Sequence, residues 1–445
     1  MEKEGREEEK VIDKRNERLL KKKFYLDKIG YGFSSTQFIN ILFSFTGASF
    51  FLIGLTNGIK SFLNTLISTF IKEITEKREI SKKVISISGL LFGFSFILLS
   101  LAVVIKQPYL FVASLLLGSI GVATYGELFN NFLNKYSKKG KIQRLSSKST
   151  FKGLFIAAAS IILAAAIIDL AFLEGKIITI NILGQTLTQN IYGYLITFEI
   201  TAFAFIISSY LFSKVKIKQE SLIQAIDYKQ YYLILINKSK TFFKNKYLLV
   251  MTMSMILVSV FQSLINSYTG IYVYTHLKNA WLGGFMNVAI MYSLALIVAI
   301  IGPVITSKIN KTVGIVPMFV FGTLLLSMLP LTIVYNPMHY PAMVVANSLS
   351  VLGAALIGSA QGTLSAKVLS AKDRQNFYSS SGFLSLIPFM ILVTGGAYIA
   401  QTHGLSYLFK ILGLGIIILV VPLYFLIVLW ASDKGSDAIW TNYQK

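Results

Sequence analysis

VISISGLLFGFSFILLSLAVVI, residues 84–105, runs for 22 positions without a single charged side chain. A bilayer core about 30 Å thick asks a helix for roughly 20 such residues. Lipid offers no partners to backbone N–H and C=O groups, so only helices and closed barrels can cross it. A barrel strand would alternate in and out over about ten residues. This run is continuous, and it reads as a spanning helix.

The same signature recurs along the chain. Spans are expected at 30–49, 51–72, 84–105, 108–133, 153–173 and 190–213, then at 247–272, 280–305, 314–334, 342–366, 379–400 and 405–430. Composition agrees: 54% of the 445 residues are hydrophobic, mean hydropathy is +0.64 and only 14% are charged, against about 25% charged in a soluble domain. The fold class is therefore all-α, a polytopic membrane protein with 12 transmembrane helices. It divides into a charged N-terminal tail 1–29, a six-helix bundle 30–213, a basic linker 214–246, a second six-helix bundle 247–430 and a tail 431–445. The linker is either an amphipathic surface helix around 220–236 or a disordered tether.

Charge sets the orientation. Of the 42 Lys and Arg residues, 37 fall on the side that holds both termini and five lie elsewhere. By the positive-inside rule both termini are cytoplasmic. The net charge of +22 then marks a face toward anionic membrane lipids rather than nucleic acid. The first 30 residues, dense in Lys, Arg and Glu, read as a retained tail and not as a secretory leader. With no cysteine in the chain, disulfides, thiol catalysis and Cys-based metal sites are excluded.

Sliding the chain on itself by 230 residues places FLIGLTNGI (51–59) on WLGGFMNVA (281–289), with Gly54 on Gly284 and Asn57 on Asn287. Arg78 falls on Lys308 at the same offset. An offset of 232 sets Gln143 on Gln375. Two separated blocks sharing nearly one offset, equal span counts and a midpoint linker indicate a duplicated six-helix unit, one recognised transporter design.

This layout resembles the major facilitator superfamily over residues 30–430. That family carries a Gly-x-x-x-Asp-Arg-x-Gly-Arg-Arg-like motif between its second and third helices, echoed between the eighth and ninth. The matching stretches here, STFIKEITEKREISKK (68–83) and GPVITSKINKTVG (302–314), keep basic residues at Lys77, Arg78, Lys82 and Lys83, then at Lys308 and Lys311. The motif's Gly and Asp are missing, and Glu76 or Glu73 stands nearest to the acid. The resemblance implies a plasma-membrane carrier, monomeric and without cofactor, and a substrate surrounded by the first, fourth, seventh and tenth spans.

Polar side chains inside a span are costly and tend to be functional. Asn57, Lys60, Ser61, Asn64, Thr65 and Ser68 recur at i, i+3, i+4, i+7, i+8 and i+11, one face of the second span. Lys60 can bind an anionic group of a substrate or snorkel to the outer headgroups. Asn40 on the first span, Gln262 and Asn266 on the seventh, and Asn347 and Gln361 on the tenth are further candidates for lining a substrate cavity. Interhelical hydrogen bonding explains each of them equally well. Three span carboxylates, Glu127, Glu199 and Asp169, are candidates for proton coupling, because burial raises a carboxyl pKa and lets it carry a proton. The resemblance makes the fourth span central and the sixth peripheral, which favours Glu127.

GLTNGIKS (54–61) echoes a phosphate loop, but its glycines are too close together and it lies within a span rather than after a strand. The three histidines, His276, His339 and His403, sit singly in short outer connectors and suggest no metal. The expected function is secondary active transport of a small polar solute by alternating access, with an anionic group if Lys60 contacts it and a proton or sodium as coupling ion. Rival readings are a lipid flippase and a polytopic membrane enzyme acting on lipid-linked substrates. The enzyme would need a cluster of His, Asp or Glu near one interface, and the scattered histidines do not supply it.

Overall fold

The computed structural model describes residues 2–77, 82–137, 143–171, 176–182, 185–191, 193–216 and 244–432. Most of them are helical: α1 (Glu2–Phe33), α2 (Thr36–Phe45), α3 (Phe50–Lys77), α4 (Lys82–Val104), α5 (Pro108–Ser137), α6 (Gln143–Ala166) and α7 (Gly193–Ser213). The second half contributes α8 (Lys246–Leu277), α9 (Gly284–Thr312), α10 (Ile315–Tyr335), α11 (Tyr340–Val368), α12 (Ala371–His403), α13 (Leu405–Gly415) and α14 (Val421–Ser432). Single π-helical turns extend α6 (Ile167–Ala171) and join α13 to α14 (Ile416–Val420).

Among the described residues, eleven helical stretches are long and apolar enough to cross a membrane. A shorter apolar helix, α2, lies before them. Over the span expected at 30–49 the helix is not continuous, because α1 ends at Phe33 and α2 starts at Thr36. Ser34 turns its hydroxyl back onto the Gly30 carbonyl at 2.7 Å, and the Ser35 side chain accepts from Phe38 N to start α2. Such local side-chain bonds compete with a continuing helix. The tail boundary expected at residue 29 falls inside α1, whose Leu20, Lys23 and Asp27 are buried.

The connector between α6 and α7 is the one place where strands occur among the described residues. Lys176–Ile182 pairs antiparallel with Gln185–Ile191, and Lys176 stands opposite Ile191.

The chain divides into two compact units. One contains Met1–Ala48, Leu63–Ala225 and Gly283–Ala289; the other contains Ser49–Phe62, Ile226–Leu282 and Ile290–Lys445. In the first, small residues let helices meet closely. A Cβ on Gly121 would lie 2.8 Å from the Phe92 backbone nitrogen, and one on Gly32 would lie 2.6 Å from the Ala157 carbonyl. Outward faces are apolar: Ile87, Leu90, Phe94 and Leu101 form one exposed stripe of α4, the face a spanning helix offers to lipid. In the second unit, α10 and α11 meet backbone to backbone, with a Cβ on Gly353 lying 2.5 Å from the Gly322 carbonyl. Asn57 and Asn287, matched by the repeat, are both buried.

Candidate functional site

α3 begins after a turn in which Gly47 takes φ +85°, a backbone shape that favours glycine. Its first half, up to Phe62, packs with the second unit. Gly54 accepts the close approach of Tyr268 on α8 and Ala397 on α12, and Gly58 lies against Val393 and Met390 of α12. About a quarter turn round the helix stand Asn57, Lys60 and Asn64. Asn57 is buried and Lys60 half-buried. No described residue gives the Lys60 ammonium a hydrogen bond or ion pair. Asn64 places its side-chain oxygen, Oδ1, where water cannot reach it, and finds no hydrogen-bond partner among the described residues. An unpaired cation in an apolar span is costly and is a group that a ligand can satisfy.

Other polar positions of the second unit show the same exposure. The second and seventh spans run in opposite directions, and Tyr268 of α8 meets Gly54 of α3. Six residues on from that meeting point in each helix, about 9 Å deeper, stand Lys60 and Gln262. On α8, Ser259 and Asn266 are exposed and Gln262 is half-buried. On α11, Gln361 is half-buried beside Gly358 and Gly362, whose Cβ positions would meet nothing within 4 Å. Polar exposure contrasts with the large apolar residues on lipid-facing stripes, and it marks surface suited to water or solute. Asn347 is different: its Nδ2 donates to the Met291 carbonyl at 3.1 Å and ties α11 to α9.

The first unit holds the rest. Asn40 is fully buried in α2. Glu127 is half-buried on α5, next to Gly126, whose Cβ position is open, and one turn before exposed Asn130. Glu199 is half-buried and shares a face of α7 with Phe203, Ile207 and Tyr210, all exposed. That face is an outward apolar stripe. Asp169 caps a helix: its Oδ2 accepts from Met286 N at 2.6 Å, in the first turn of α9. The preceding residue, Gly283, has no side chain to do so, and carboxylates suit helix N-termini. Glu76 and Lys77 end α3, while Arg78 lies outside the described residues.

One buried ionic group of this unit escaped the sequence reading. Lys23, 0% exposed, donates from Nζ to Asp27 Oδ2 at 2.7 Å, one helical turn along α1. Tyr125 of α5 donates to the Asp27 carboxylate, 2.9 Å from either oxygen, and Ser208 of α7 donates to Oδ1. The Lys23 ammonium also sits 3.2 Å from the ring centroid of Phe129. Beside it, Leu20, Ile71, Ile85, Leu128, Phe212 and Val215 close an apolar cluster. Asn16 and the Lys216 backbone exchange two hydrogen bonds, which pins α1 to the end of α7.

The described helices define a multi-pass membrane protein. The chain aligns over 92% of its length with nucleoside transporter NupG in a point-mutant form, covering 99% of that chain with TM-score 0.70 and 12% identity. Unmutated NupG aligns at TM-score 0.68, and a structure of a proton dependent oligopeptide transporter at TM-score 0.63 with 11% identity and 99% of its chain covered. No protein-family model matches the chain, and no curated protein matches it significantly in sequence. The chain shares the fold of these solved structures.

Proposed function

We propose that the chain is a secondary active transporter of the plasma membrane that moves a small polar solute by alternating access. Both termini are cytoplasmic and the basic segment 214–246 is the link between halves. Lys60 recognises an anionic group of the solute, and a proton or sodium gradient drives accumulation. The chain acts as a monomer among membrane lipids. The observation that carries the solute class is Lys60, a span cation with no ionic partner among the described residues. Asn57, Gln262, Asn266 and Gln361 supply neutral hydrogen-bonding groups on the same unit, and Asn64 lies one turn from Lys60 on α3. Asn347 ties α11 to α9 within that unit.

Liposomes containing the purified chain test this reading. The structural neighbours include a nucleoside transporter and a proton dependent oligopeptide transporter, so nucleosides and short peptides are the first probes. Small carboxylates and phosphates join them because of Lys60. One class is expected to accumulate under a pH or sodium gradient. Lys60→Ala should insert normally and lose that uptake. Full uptake by the variant removes Lys60 from the site, and no uptake of any class by the parent chain removes the transport reading.

A further inference from the structure

The transport reading makes no use of Lys23 and Asp27, although they form a buried, fully engaged ionic cluster. A carboxylate removed from water needs a compensating cation and hydrogen-bond donors. Asp27, 6% exposed, has both. The Lys23 ammonium is 2.7 Å from Oδ2, the Tyr125 hydroxyl is 2.9 Å from each oxygen, and the Ser208 hydroxyl binds Oδ1. Around the ammonium are the faces of Phe129 at 3.2 Å and Tyr125 at 4.6 Å to the ring centroids. The next cation along the helix, Lys28, lies with its Nζ 5.4 Å from the Phe24 ring and feels the Asp27 charge without bonding to it.

Stripped of Lys23, this donor set is two carboxylate oxygens, two hydroxyl oxygens and an aromatic face. Hard oxygen donors and π-faces are what bind a small cation. A further hydroxyl, that of Ser209, is buried nearby and has no partner among the described residues. We propose that Asp27, Tyr125 and Ser208 form a monovalent-cation site whose occupant is the chain's own Lys23 ammonium. As a tethered counter-ion it joins α1, α5 and α7, and it makes their packing independent of sodium or potassium in solution. Lys23 approaches from Asp27's own helix, so the occupant cannot dissociate when the bundle moves.

The test needs no solute, so its failure and the failure of the transport reading are distinguishable. Full-length protein in detergent is melted in sodium, potassium or choline chloride at equal ionic strength. The parent chain should melt alike in all three. Lys23→Met keeps the apolar stem and vacates the ammonium position. It should melt lower in choline and recover by about 5 °C, saturably, in sodium or potassium, as expected when a ligand binds only the folded state. Lys23→Met combined with Asp27→Asn should lose this ion-specific recovery. Equal melting of Lys23→Met in the three salts overturns the proposal, as does a parent chain with the same ion dependence. Should Lys23→Met not survive extraction in choline, Lys23→Gln is extracted in parallel in all three salts. Recovery of either variant only in sodium or potassium supports the site. Loss of both in every salt, with the double variant folded, overturns it.

Discussion

Tyr268 donates its hydroxyl to the Phe50 carbonyl at 2.8 Å, through the space that a side chain on residue 54 would occupy. Gly54→Ala would place a Cβ 2.5 Å from that of Ala397 and 3.2 Å from Tyr268 Cζ. Overpacking of this kind costs about 1–3 kcal/mol. Thermal melts of the purified variant should show a clear loss, and Tyr268→Phe in the same chain, which removes the hydroxyl nearest the new methyl, should return part of it. A Gly54→Ala protein that melts like the parent would show that the two helices are free to spread.

Asp169 acts on α9 as a cap supplied from another helix. Asp169→Ala should cost about 0.5–2 kcal/mol, the usual range for a lost N-cap, while Asp169→Asn keeps an acceptor and should cost less. Hydrogen exchange of the Met286 amide reports the cap directly and should accelerate in Asp169→Ala. Unchanged exchange there would mean that the first turn holds itself.

Tyr125→Phe deletes the hydroxyl that both Asp27 oxygens share. Hydrogen bonds to charged groups contribute about 1.5–3 kcal/mol, and a loss in that range is expected on denaturant or thermal unfolding. Against an Asp27→Asn background the same change should cost much less, because the acceptor charge is gone. Equal costs in both backgrounds would show that Tyr125 contributes through packing alone.

Glu127 remains the proposed proton carrier among the span carboxylates. It is half-buried beside an open position at Gly126, whereas Asp169 is spent on a helix end and Glu199 shares an apolar outward stripe. Glu127→Gln is expected to flatten the pH dependence of uptake in liposomes while leaving solute exchange intact. A pH profile that matches the parent's would reject the assignment.

The helical fold and eleven of the twelve expected spans were legible in the sequence because uncharged runs such as 84–105 admit one physical solution in lipid. The buried ionic pair of α1 was not. Lys21, Lys22, Lys23, Asp27 and Lys28 lower the hydropathy of that segment, yet Lys23 and Asp27 neutralise each other once buried and so enter the bundle. A spacing of i to i+4 between opposite charges, flanked by Phe24, Tyr25, Leu26 and Ile29, was the available signal. The strands at 176–191 also had one, in β-branched residues on both sides of Gly184. At the candidate site, the polar face of α3 was readable from its period. The cap at Asp169 was not, because its partner Met286 lies 117 positions along the chain. The linker helix considered around 220–236 lies outside the described residues.

Where Gly322 and Gly353 bring α10 and α11 together, main chain rests on main chain and no rotamer can cushion a displacement. The two helices therefore have one set of positions between them. A shift of α11, which carries Gln361, drags α10 along like the second blade of a hinged pair riveted shut, so the smallest mobile part at this place in the molecule is a hairpin of two rods.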